Sequence, residues 1–86
     1  MLRIEKNYEG QNAILRLSGH IHSEDIPALQ EQLEQCGAPL IFDLRELQLV
    51  DESAVQFLAN CEMNGIILRH SAAYISEWIR RIREPE

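Results

Sequence analysis

Two short runs, Leu40-Ile41-Phe42 and Ile66-Ile67-Leu68, contain no polar residue. Strands covered on both faces read this way, and such strands form the interior of a parallel sheet. Between them Ala54, Phe57, Leu58 and Cys61 recur at spacings of three and four, and Gly65 supplies a stop. That pattern predicts a helix with one apolar face. A helix joining two buried strands makes them parallel neighbours linked by a right-handed crossover.

The flanking segments complete the frame. Leu2, Ile4 and Tyr8 alternate with Arg3, Glu5 and Asn7, which predicts a half-buried strand. Glu9-Gly10-Gln11-Asn12 reads as a turn and Ala13 to Leu17 as a second strand, ended by Gly19. The pair forms an antiparallel hairpin. Ser23 reads as an N-cap, with Glu24 and Asp25 in the first turn and Pro27 still early enough to cost no helical hydrogen bond. Ile26, Leu29, Leu33 and Cys36 give that helix its apolar face, with Gly37 and Pro39 closing it. Ile75, Trp78, Ile79 and Ile82 define a last amphipathic helix, and all but Ile82 are expected to be buried, in the core or between two chains. The predicted class is α/β, a mixed sheet in the order ββαβαβα with an antiparallel first hairpin and parallel central strands.

At 86 residues the chain has room for a single domain, residues 1–86, with one modest core. The 45% apolar and 26% charged content is that of a globular domain rather than a disordered one, the final Arg-Glu-Pro-Glu excepted. No apolar run reaches the roughly 20 residues that cross a bilayer. The start, Met-Leu-Arg-Ile-Glu-Lys, alternates and carries charge, unlike a signal peptide. A cytoplasmic location is therefore expected.

Charge narrows the partners. The net charge is −6, and residues 20–64 hold nine acids against Arg45 alone, a local −8. Such a field repels nucleic acid and anionic membranes and attracts a basic protein surface. Arg80, Arg81 and Arg83 suit the C-terminal end of the last helix, where cations favour the dipole. Cys36 and Cys61 match no metal or redox spacing and read as small buried hydrophobes.

Three blocks resemble the STAS domain of anti-sigma factor antagonists. Ile14-Leu15-Arg16-Leu17-Ser18-Gly19-His20-Ile21 is similar to that family's second strand and its Leu-x-Gly-x-Leu/Ile ending. Ile41-Phe42-Asp43-Leu44, followed after three residues by Gln48-Leu49-Val50-Asp51-Glu52-Ser53-Ala54-Val55, is similar to its Asp-Leu…Val/Ile-Asp-Ser-Ser/Thr-Gly-Leu core. Gly65-Ile66-Ile67-Leu68 and the helix around Ile75 form the third. Glu52 and Ala54 stand where the family has Ser or Thr and Gly, and the chain ends near Arg83, where the family commonly adds a strand and a helix. It reads as a short or degenerate member.

The resemblance implies a regulatory module that binds an anti-sigma factor, often a serine kinase, and releases a sigma factor. Ser53 would be the phosphoacceptor. The docking surface would be the start of its helix, with the preceding loop from Glu46 to Val50 and the loop from His20 to Ser23. His20, His22, Ser23, Leu49, Asp51, Glu52 and Ser53 are the candidate contacts. The residues alone also admit an ordinary first-turn serine behind an Asp51 cap, or a constitutive scaffold in which Glu52 already supplies a fixed charge. An apolar final helix in so small a domain also suits a second copy, so a homodimer is among the expectations.

No nucleophile elbow and no glycine-rich phosphate loop is present, so the module is expected to bind rather than turn over a substrate, without a cofactor. The alternative of another class is a metal site or small enzyme built on His20 and His22, with His70 or Glu24 as a further ligand.

Overall fold

The computed structural model describes residues 2–36 and 39–84. The predicted stop at Gly37 and the Pro85-Glu86 end lie outside the described residues.

The elements are β1 (Leu2–Glu9), β2 (Asn12–Ile21), α1 (Ile26–Gln35), β3 (Leu40–Asp43), β4 (Leu47–Val50), α2 (Glu52–Met63), β5 (Ile67–Arg69) and α3 (Ala73–Arg83). A 3-10 turn, Ser23–Asp25, precedes α1. β1 and β2 pair antiparallel, as predicted, with Gly10 in the turn at φ +62°. β3 runs parallel to β2 and to β5, which gives the sheet order β1-β2-β3-β5.

β4 was not expected. Residues 46–50 read as a loop, yet Leu47–Val50 is a strand parallel to the far half of β2. β2 correspondingly does not end at Gly19 but runs on to Ile21. Gly19 takes φ +90°, a conformation open to glycine, and the register against β4 shifts between Gly19 and His20. The bulge lets one long strand pair first with β3 and then with β4. The frame is therefore ββαββαβα.

Alternation along β2 separates two faces. Ala13, Leu15 and Leu17 are fully buried under the helices, while Ile14, Arg16 and Ser18 on the other side are half-buried. Leu15, Leu17, Ile21 and Phe42 of the sheet join Leu29 of α1, Val55 and Leu58 of α2, and Ile75 and Ile79 of α3 in one core. Trp78 is only half-buried, packing one edge on that core. Tyr8, on the edge strand β1, is exposed.

The face without helices is organised in rows. Register aligns Glu5, Arg16, Asp43 and Arg69 across four strands, alternating in charge. Asp43 is nearly buried there, held by the Arg16 guanidinium at 3.9 Å and the Arg45 N–H at 3.0 Å. The next row is Asn7, Ile14, Ile41 and Ile67. Ile41, in the centre, is buried, whereas Ile67 on the edge strand is 56% exposed. β5 is thus an edge, not the doubly covered strand its apolar run predicts.

Candidate functional site

Asp51 organises one end of the sheet. It follows β4 directly and is the N-cap of α2, with its backbone still extended. Its Oδ1 accepts the Ala54 N–H at 2.9 Å. Its Oδ2 accepts the Ser23 N–H at 3.0 Å, from a segment 28 residues earlier. The Asp51 N–H in turn donates to the Ile21 carbonyl at 3.3 Å. One residue so joins the end of β2, the 3-10 turn and the start of α2. The Ala54 N–H first, then the Ser23 N–H and the nearby His22 ring, hold the Asp51 carboxyl below its ordinary value against the opposing effect of partial burial.

Ser23 was expected to cap the first helix. Instead His22 precedes the 3-10 turn, donating its N–H to Asp25 Oδ2 at 2.9 Å and accepting the Asp25 N–H at 2.9 Å. An acidic residue three positions after a turn start is a legible capping signal. Asp25 was missed as a site residue because it was read only as a first-turn charge.

Glu52 and Ser53 occupy the first turn of α2, and both are exposed. Ser53 thus sits, exposed, at the positive end of a helix of 12 residues. Leu49, on β4, is 53% exposed and lies opposite His20 across the β2–β4 pair. His20 and His22 touch edge to face, ring centroids 5.9 Å apart, and His22 Nδ1 lies 3.9 Å from Asp51 Oδ2. The candidate residues His20, His22, Ser23, Leu49, Asp51, Glu52 and Ser53 therefore gather at one end of the molecule, from β2, the 3-10 turn, β4 and α2 and the residues that join them.

Among the described residues the histidine pair has no third ligand. His70 is held elsewhere, with Nε2 at 2.9 Å from Arg45. Among the described residues no group of three His, Cys, Asp or Glu side chains is placed to hold a metal ion. Cys61 is buried, and burial pushes its thiol up to about 11, far from a thiolate at neutral pH. Cys36 is only partly buried, at the C-terminal end of α1. Clefts of about 380 Å³ lie away from Ser53. One is lined by Glu62, Ser76, Ile79, Arg80 and Arg83, another by Tyr74, Glu77, Trp78 and Arg81. Among the described residues no helix is long and apolar enough to cross a membrane.

No family model matches the chain, and neither does any curated protein. Among solved structures, one similar chain is that of an uncharacterized protein from the DUF3478 family with a SpoIIAA-like fold, from Shewanella loihica PV-4. It is 14% identical, with a TM-score of 0.48 and coverage of 95% of this chain and 75% of that one.

Proposed function

We propose that this chain is a STAS-type regulatory module that works by binding a protein partner at the start of α2, in the manner of an anti-sigma factor antagonist. The observation that carries the reading is the exposed position of Ser53 beside Leu49, Glu52 and the Asp51-tied turn. The exposed Leu49 offers a partner an apolar contact, and the neutral Ser53 hydroxyl can be covered without burying a charge there. The partner class is an anti-sigma factor, or a serine kinase that both docks on this surface and modifies it. The proposed action is one of recognition, in which the Asp51 oxygens, engaged by backbone donors, hold the shape of the surface.

Phosphorylation of Ser53 is the proposed control. A phosphoryl group adds about −1.5 to −2 charges and considerable bulk. Asp51 and Glu52 already place negative charge at this spot, so a seated partner would have to desolvate a third anion among them. The result is expulsion of the partner. A Ser53→Asp variant is expected to bind a purified cognate anti-sigma partner roughly tenfold more weakly, while Ser53→Ala binds as the parent does. Equal affinity of the Asp variant overturns the switch. The constitutive scaffold then takes its place, for which the exposed Glu52 is the supporting feature: this helix start is anionic without modification.

A further inference from the structure

The outer side of α3 carries Tyr74, Glu77, Trp78 and Arg81 at successive spacings of three, one and three, which places them in a single seam along the helix. They line one shallow cleft. Tyr74 is 47% exposed, yet its hydroxyl is fixed to the Gln48 carbonyl at 2.5 Å, so the ring is held before any partner arrives. Trp78 packs one edge on the core and leaves the other outside. Arg81 is 77% exposed and lies 3.8 Å from Glu77. A rigid tyrosine, a tryptophan and an arginine in one cleft is the composition of an interface centre.

We propose that this seam binds its own copy, forming a symmetric dimer through antiparallel α3 helices. The seam is self-complementary. A two-fold axis near Glu77 and Trp78 lays Arg81 of one protomer over Tyr74 of the other, as a cation–π contact, with Glu77 of the second protomer within reach of the same guanidinium. The two tryptophans meet at the centre. Charge also selects this face for self-association. The protein is −6 overall, but within the seam itself Glu77 and Arg81 supply one charge of each sign. Two copies meeting by their acidic sides oppose like charges, whereas this seam alternates in sign. An 11-residue helix is only about 16 Å long, so the dimer is a weak one, with a Kd on the order of 10–100 µM. The inference is independent of the Ser53 reading, because the seam excludes the α2 start.

Sedimentation equilibrium of the whole chain in about 50 mM salt tests it, with the emission of Trp78, the single tryptophan, as a second readout. The parent is expected to pass from monomer to dimer with rising concentration, the emission shifting to the blue. Arg81→Glu and Glu77→Arg are each expected to weaken self-association roughly tenfold, because each leaves a seam of one sign. An equimolar mixture of the two variants is expected to recover it. A parent that stays monomeric through the millimolar range overturns the proposal. So does dimerisation that the Arg81→Glu variant retains, or a variant mixture that stays monomeric.

Discussion

The Asp51 carboxylate holds two backbone N–H groups with its two oxygens, one three residues ahead and one 28 residues back, and so ties the start of α2 to the 3-10 turn. Because those hydrogen bonds favour the charged form, the folded state keeps the proton off more strongly than the unfolded chain does. The stabilisation is fully present above the ordinary carboxyl value of 3.8 and is lost as pH falls through the lower folded value. Asp51→Asn keeps the shape but removes the titration and leaves one acceptor oxygen, its amide NH2 facing one of the two N–H donors. Thermal melts from neutral to acid pH are expected to show a difference in Tm between parent and variant that is constant above pH 5 and narrows as the acid range is entered. A difference that stays constant to the lowest pH contradicts the assignment. Cys61 gives a second check at this scale. Its buried thiol is expected to react with a maleimide only as the chain unfolds, at a rate that follows denaturant, while rapid labelling of native Cys61 contradicts the packing of α2.

At the level of elements, β4 decides how the site is built, and Gly19 decides how β2 pairs with it. At φ +90° a side chain at position 19 is strained. Gly19→Ala is expected to cost about 1–3 kcal/mol by chemical denaturation. It is also expected to loosen the pairing of β2 with β4, read as faster amide exchange at Leu49 and Val50 than at Ile41 and Phe42. Uniform exchange across both halves contradicts a local role for the bulge. The same feature explains what the residues announced and what they concealed. The hairpin, the three helices and the parallel order rest on periodicity within one element, so Leu29, Leu58, Ile75 and their partners were legible. β4 was concealed because a bulged strand beside an irregular connection lacks clean alternation: Leu47 is buried, while Gln48 and Leu49 are both exposed. The edge position of β5 was concealed because an apolar run reports hydrophobicity, not which neighbour covers it. At the site, Asp51 and Ser53 were legible from capping logic. The ties of Asp51 to Ser23 and of Tyr74 to Gln48 depend on segments 28 and 26 residues apart, which no local pattern contains.

Across the whole molecule, ion pairs and net charge act on different length scales. The described pairs hold their atoms between 2.7 and 3.9 Å apart, among them Arg83 with Glu62, Arg80 with Glu77 and Arg16 with Asp43. The molecule measures 37 × 26 × 21 Å. At about 10 mM salt the screening length is near 30 Å, so each carboxylate of a −6 molecule feels nearly every other. Near 150 mM it shrinks to about 8 Å, which removes the long-range repulsion first and leaves contacts under 4 Å largely in place. Exposed pairs contribute only about 0–1 kcal/mol each in any case, so their partial screening is the smaller effect. The expected outcome is a Tm that rises between about 10 and 150 mM sodium chloride, because the compact state confines a net charge that the unfolded chain spreads out. The rise should be smaller for a Glu24→Gln/Glu31→Gln/Glu34→Gln variant, which removes three exposed carboxylates that have no ion pair among the described ones. A Tm that falls over this range in the parent means that the short pairs, the alternating row on the open face among them, outweigh the acidic field. The picture of a fold working against its own charge would then be wrong.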